Sequence, residues 1–125
     1  MSGKKNILLI DDERDLVETV EMSLKSKGYE VVTAFDGEEG LKVALETKPD
    51  IVILDLMMPK MNGYQVCWEL KNNEVTKDLK VIMLTAKTQE SDKFWGYETG
   101  ADDYITKPFE MAELVKKIAK FLGNE

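Results

Sequence analysis

Five short apolar runs, each separated from the next by a longer stretch with helical spacing, constrain the fold of this 125-residue chain more than any other feature. The runs are rich in β-branched residues, and a polar segment follows each of them, which is typical of buried strands. Between the runs, apolar residues recur with a helical period, as at Leu16, Val20 and Leu24. The alternation predicts five helices and five strands, the strands at Ile7–Ile10, Glu30–Ala34, Ile51–Leu54, Val81–Leu84 and Tyr104–Thr106.

The predicted strands contain few polar residues, which favours a sheet that helices cover on both faces. Strands that alternate regularly with helices are joined by right-handed crossovers and therefore run parallel. Three glycines, Gly28, Gly100 and Gly123, lie where helices should end, as glycines after a helix commonly do. The prediction is a doubly wound α/β domain.

Composition excludes several chemistries. The chain has no histidine and one cysteine, Cys67, which rules out a Ser-His-Asp triad, a histidine-bound zinc and a multi-cysteine metal site. With 24 acidic and 17 basic side chains the net charge is −7, from which we expect no direct contact with nucleic acid. Apolar runs are too short for a signal sequence or a membrane span, so we expect a cytoplasmic protein without a membrane partner. The length predicts one domain over residues 1–125, with its core at about 5–122 and no output domain.

Polar side chains follow the predicted strands at the carboxyl edge of the sheet, where doubly wound folds bind their ligands. Asp11 and Asp12 follow the first strand, Asp55 the third, Thr85 the fourth and Lys107 the fifth. Three neighbouring carboxylates repel one another unless a cation lies among them, and oxygen donors of this kind suit magnesium. An aspartate beside such a cation can attack a phosphoryl group, whose oxygens a lysine and a hydroxyl could then contact.

Structural roles remain open for these residues. Asp11 or Asp12 could cap the first helix, because aspartate is a favoured capping residue. Lys107 could be a surface lysine, and Thr85 an ordinary residue at a strand end. Asp55 is harder to explain by structure, because the Leu-Met-Met-Pro segment after it starts no helix that it could cap.

Four motifs resemble the receiver, or response-regulator, domain of two-component signalling. The resemblance covers about Lys5 to Leu122 and implies a flavodoxin-like fold with five helices around a sheet of strand order 2-1-3-4-5, an order that periodicity does not provide. The motifs are Ile10-Asp11-Asp12-Glu13, Asp50 to Pro59 with Asn62-Gly63, Leu84-Thr85-Ala86, and Gly100 to Phe109.

The resemblance implies a role for each matching residue. Asp55 would be the phosphoacceptor and would receive a phosphoryl group from a sensor histidine kinase or a phosphotransfer protein. Asp12 and Asp55 would bind magnesium directly, Asp11 would bind it through water, and Met57 would add its backbone carbonyl. Lys107 would contact the phosphoryl group.

The resemblance also implies a switch. Thr85 would move toward the phosphoryl group and Tyr104 would turn inward, which would change the face formed by the fourth helix, the fifth strand and the fifth helix. We expect Trp95, off the core side of the fourth predicted helix, to contact a downstream protein there, with partial burial as the alternative. The domain would be a monomer or a phosphorylation-dependent dimer. It would catalyse only its own phosphorylation and dephosphorylation, so we do not expect an enzyme.

Two other functions would suit a fold of this type. A flavodoxin-like carrier of a nucleotide or flavin needs a phosphate-binding loop after the first strand, where Asp11, Asp12 and Glu13 would repel a phosphate. A magnesium-dependent phosphatase with an aspartyl nucleophile commonly has a second aspartate two residues later, where this chain has Met57. The sequence therefore favours a phosphorylation switch, and we hypothesise that the bulky Met57 slows loss of the phosphoryl group.

Overall fold

The computed structural model describes residues 4–86 and 100–123, which form a five-stranded parallel sheet with helices on both faces. The strand order is β2-β1-β3-β4-β5, as the resemblance implied. Each predicted strand is present, with its ends shifted by no more than one residue. In chain order the elements are β1 Asn6–Ile10, α1 Arg14–Ser26, β2 Glu30–Ala34, α2 Gly37–Thr47, β3 Ile51–Asp55, α3 Gly63–Lys71, β4 Lys80–Thr85, β5 Asp103–Thr106 and α4 Met111–Leu122.

The central strand β3 is buried along its whole length, because helices cover both faces of the sheet. Val52 and Leu54 point to the face covered by α2 and α3, whereas Ile51 and Ile53 point to the face covered by α1 and α4. The prediction of a doubly wound sheet is confirmed. The fourth predicted helix, around Trp95, lies outside the described residues. Among the helices that the structure does describe, none is long and apolar enough to cross a membrane.

Helix α1 begins without a capping side chain. Its first residue is Arg14, and Glu13 occupies the N-cap position without a side-chain hydrogen bond to the helix. The Asp11 carboxylate instead accepts a hydrogen bond from the Glu13 backbone N at 2.9 Å, before the helix starts. Neither Asp11 nor Asp12 therefore caps α1, which leaves the cap explanation of these two acids without support.

Candidate functional site

Three acidic side chains meet at the carboxyl edge of the sheet. Asp11 and Asp12 directly follow β1, and Asp55 is the last residue of the adjacent strand β3. One carboxylate oxygen from each residue lies within 4.8 Å of the other two. The backbone holds this arrangement, because the Asp11 N donates to the Ala34 carbonyl at 3.1 Å and the Leu56 N donates to the Leu84 carbonyl at 2.8 Å.

The three carboxylates differ in exposure. Asp11 and Asp55 are buried, with 0% and 3% of their surface exposed, whereas Asp12 is exposed. Asp11 and Asp55 are therefore shielded from water, whereas Asp12 lies on the surface, where a ligand can enter. The three ligand atoms that the cluster offers are carboxylate oxygens, and they lie within 4.8 Å of one another. Magnesium prefers such hard oxygen ligands. The chemistry of the residues thus fits a magnesium ion.

Lys107 reaches across the sheet edge from the end of β5 into this cluster. Its Nζ atom lies 2.9 Å from Asp11 Oδ2 and 3.2 Å from Asp55 Oδ1. Its shortest contact, 2.6 Å, is with Glu13 Oε1. The sequence had placed Lys107 with Asp11 and Asp55, but it had not indicated Glu13, because an exposed acid beside a helix start resembles any solvated surface residue.

Burial and the neighbouring charges shift the pKa values of Asp55 and Lys107. Burial, followed by the charge of Asp11, raises the pKa of Asp55, while the charge and hydrogen bond of Lys107 and a hydrogen bond from the Met57 backbone lower it. The net result is a pKa of about 7, against an ordinary value of 3.8. Burial lowers the pKa of Lys107, but hydrogen bonds to Glu13 and Asp11 and the charges of Asp11 and Asp55 more than offset this and raise it. Within residues 4–86 and 100–123, the one ammonium of Lys107 faces three carboxylates and does not balance their charge.

The two residues of the implied switch lie on neighbouring strands behind the cluster. Thr85 ends β4 and is completely buried, and its Oγ1 has no hydrogen-bond partner among residues 4–86 and 100–123. Tyr104, on β5, is only 7% exposed and packs in the core on the side of α2 and α3. Trp95 lies outside the described residues, so its contact with a partner stays a prediction.

The segment between Asp55 and α3 passes close to the helix start. Met57 exposes 68% of its surface beside the cluster. The Gly63 N donates to the Leu56 carbonyl at 2.8 Å. A methyl group at Gly63 would lie 2.5 Å from the Asp55 carbonyl oxygen and 2.7 Å from Leu56 Cα, so only glycine fits against this backbone. On the other side of the site, the Lys107–Pro108 peptide is cis.

This geometry agrees with a comparison of the sequence with known protein families. Residues 7–119 match the family described as response regulator receiver domain. The chain belongs to this family. The prediction of a receiver domain, with phosphorylation-based signalling through a two-component system, is therefore confirmed.

Two curated relatives of this receiver domain are regulators of transcription. It is 45% identical over 118 residues to the alkaline phosphatase synthesis transcriptional regulatory protein PhoP of Bacillus subtilis, a match that covers 94% of this chain and 48% of PhoP. It is 43% identical over 116 residues to the DNA-binding dual master transcriptional regulator RpaA of Synechocystis, covering 93% of this chain and 48% of RpaA. The receiver domain thus spans about half the length of these two relatives.

Solved structures show the same architecture. The chemotaxis protein CheY4 of Vibrio cholerae superposes on the receiver domain with a TM-score of 0.91 at 31% identity, covering 95% of this chain and 99% of that one. The receiver domain of sensor histidine kinase PA1611 from Pseudomonas aeruginosa has a TM-score of 0.89 at 29% identity, covering 97% and 99% of the two chains. The latter structure has a magnesium ion coordinated in its active-site cleft.

The exclusion of nucleic acid as a partner was wrong. We drew it from the net charge of −7, yet the relatives include transcriptional regulators, one of them named as DNA-binding. Net charge describes only the segment over which it is counted, and this segment corresponds to less than half of those regulators. An acidic receiver domain is therefore compatible with a relative that binds DNA.

Proposed function

We propose that this receiver domain accepts a phosphoryl group on Asp55 from a phosphohistidine of a sensor kinase or phosphotransfer protein. The observation that carries the proposal is the meeting of Asp11, Asp12 and Asp55 within 4.8 Å, with Lys107 Nζ 3.2 Å from Asp55. Asp11, Asp12, Asp55 and the Met57 backbone carbonyl would hold magnesium. The ion, when bound, would neutralise negative charge on the phosphoryl oxygens.

The transfer itself asks for positioning and charge more than for covalent assistance. An oxygen of the Asp55 carboxylate attacks phosphorus, and the bond from phosphorus to the donor nitrogen breaks as the new O–P bond forms. The electron pair of the broken bond stays on the donor imidazole, which lies outside these 125 residues because they contain no histidine. Lys107 donates to the incoming group from a position that is already fixed beside Asp55.

The Thr85 hydroxyl has no hydrogen-bond partner among the described residues, and this supports a role in the response. A buried hydroxyl without a partner costs free energy, and an oxygen of the phosphoryl group would supply the missing acceptor. Thr85 ends the strand that pairs with β5, and Met83 of the same strand stands opposite Tyr104. A shift of Thr85 toward Asp55 would therefore alter the packing of Tyr104 and of the surface above it.

Intact mass measured with magnesium and acetyl phosphate tests the acceptor. We expect one added phosphoryl group per chain, dependent on magnesium and lost in Asp55→Asn. Asp78→Asn is the matched control, because Asp78 is exposed between α3 and β4, and it should be labelled like the wild type. Labelling that persists in Asp55→Asn, or that survives chelation of magnesium, would contradict the proposal.

The switch has a separate test. Fluoroberyllate, a mimic of the phosphoryl group, should shift the NMR signals of the Tyr104 ring in the wild type. In Thr85→Ala the mimic should still bind, but the Tyr104 signals should stay unchanged. Thr106→Ala is a suitable control, since Thr106 stands opposite Thr85 in the sheet. Equal shifts in Thr85→Ala and wild type would exclude the switch.

A further inference from the structure

Lys107 has as many hydrogen-bond donors as it has acidic neighbours. An ammonium group carries three N–H donors and no acceptor. The carboxylates of Glu13, Asp11 and Asp55 lie 2.6, 2.9 and 3.2 Å from its nitrogen. Of the three, the contact with Glu13 is the shortest and the one that has the geometry of a hydrogen bond, whereas Asp11 and Asp55 are paired with the ammonium by charge and distance. A phosphoryl group on Asp55 would be a fourth anionic group around the same ammonium, so it would compete with these carboxylates for Lys107.

The three contacts differ in what their loss would cost. The side chains of Asp11 and Asp55 are 0% and 5% exposed, so an uncompensated charge at either would be expensive. The Glu13 side chain is 62% exposed and can exchange the ammonium for water at little cost. It also borders a cavity of about 370 Å³ beside Leu16 and Pro108, which gives a displaced carboxylate room to move. The contact with Glu13 is therefore the one that a phosphoryl group on Asp55 would displace.

We propose that Glu13 is an inhibitory positioning residue, a resident counter-ion that occupies Lys107 and that the phosphoryl group must displace. This inference rests on the proposed phosphorylation of Asp55. Glu13 also holds the ammonium by its shortest contact, 2.6 Å, and without it Lys107 would pair more closely with Asp11 and Asp55 and would compete with a metal ion for those two carboxylates. One side chain thus has opposite effects on two ligands: it favours the cation and disfavours the anion.

Calorimetric titration of Glu13→Gln tests this prediction. Binding of magnesium alone should weaken, because Lys107 then pairs more closely with Asp11 and Asp55. Binding of fluoroberyllate to the magnesium-saturated protein should become about two- to fivefold tighter, the range expected for release of one exposed ion pair. A variant that merely loosened the site would weaken both. Glu18→Gln removes the same charge from an exposed position on α1 and should change neither.

A second variant separates the contact with Lys107 from a general effect of charge. In a Lys107→Met background, Glu13→Gln should no longer tighten fluoroberyllate binding. The ammonium group for which Glu13 and fluoroberyllate compete is absent there. Fluoroberyllate binding that is unchanged or weaker in Glu13→Gln, or a gain that persists without Lys107, would overturn the inference while leaving the proposed function intact. A wild-type protein that binds no fluoroberyllate with magnesium would overturn both.

Discussion

Two clusters of lysine and aspartate lie at opposite edges of the same sheet, and they differ in how many charges each lysine balances. At the amino edge, Lys71 Nζ lies 3.0 Å from Asp102 Oδ2 and also donates to the Leu79 carbonyl at 2.7 Å. The same Asp102 oxygen accepts from the Val81 N at 2.8 Å. One cation meets one anion there, and backbone groups complete the hydrogen bonding. At the carboxyl edge, by contrast, Lys107 faces three carboxylates.

The difference in charge balance indicates that the two clusters have different roles. The balanced cluster ties the end of α3 to the starts of β4 and β5 and serves the fold. The unbalanced cluster keeps an excess of negative charge in a partly dry site, which opposes folding and favours a cation. Removing the lysine charge of the balanced cluster should therefore lower the free energy of unfolding. Removing a carboxylate charge from the unbalanced cluster should raise it.

The largest effect is expected for Asp55→Asn in the metal-free protein. Because the folded pKa of Asp55, about 7, lies above its ordinary 3.8, the folded state binds more protons between these values. Stability should therefore fall as pH rises from about 4 to about 7 and then level off, since Lys107, whose pKa is also raised, stays protonated throughout. Asp55→Asn should remove this fall and gain about 2–4 kcal/mol at pH 8. Urea unfolding at pH 4.5 and pH 8 measures it.

If Asp55→Asn is no more stable than the wild type at pH 8, the excess negative charge at the carboxyl edge does not oppose folding. The exposed substitution Asp78→Asn, which removes the same charge elsewhere, should leave the pH dependence in place.

The balanced cluster should respond in the opposite direction. Lys71→Met leaves Asp102 without its cation, and the free energy of unfolding should drop by about 1–3 kcal/mol, less than for a fully buried pair because both side chains are about one-fifth exposed. Lys77→Met is the control, since Lys77 pairs with a Glu74 side chain that is 90% exposed, and it should change stability by less than about 0.5 kcal/mol. Equal effects of the two substitutions would remove the distinction.

A smaller effect concerns the lifetime of the phosphorylated state. Met57 is 68% exposed two residues after Asp55. We expect its apolar side chain to restrict the approach of water to a phosphoryl group on Asp55. Met57→Asn should lose the phosphoryl group about threefold to tenfold faster, a barrier lower by about 0.7–1.4 kcal/mol. Decay of the phosphorylated mass measures the rate, and Met22→Asn, at an exposed methionine on α1, serves as control. A rate no faster than that of the wild type would refute the role of Met57.

The smallest change in stability is expected for Asp12→Asn. Because Asp12 is exposed, removing its charge should stabilise the metal-free fold by at most about 0.5 kcal/mol, while magnesium binding weakens several-fold. Thermal unfolding and calorimetric titration of the same sample separate the two effects. A clearly less stable metal-free variant would mean that Asp12 supports the start of α1 after all.

Much of the fold could be predicted, because burial on both faces leaves a local signature. The apolar run Ile51–Leu54 identifies β3 to within one residue of its observed end at Asp55. Strand order could not be predicted from periodicity, because local spacing carries no information on which strands become neighbours. Leu45 shows the limit of helical spacing: it fits the apolar pattern of α2, yet it is 41% exposed.

The candidate site divides in a similar way. Polar residues at strand ends are visible in the sequence, so Asp11, Asp55, Thr85 and Lys107 could be found there. The contact between Lys107 and Glu13 could not, since 94 positions separate the two residues and an exposed glutamate has no distinctive surroundings in sequence. The net charge of the chain led to a wrong expectation for a related reason, because a sum over residues does not show where the charges lie.

The bare Cα of Gly63 has a mechanical consequence. Because the start of α3 rests directly on the backbone of Asp55 and Leu56, no compressible side chain separates Asp55 from the helix. The hydrogen bond from Gly63 to Leu56 fastens the same joint. We therefore expect a displacement of the Asp55 backbone to move the start of α3 with it.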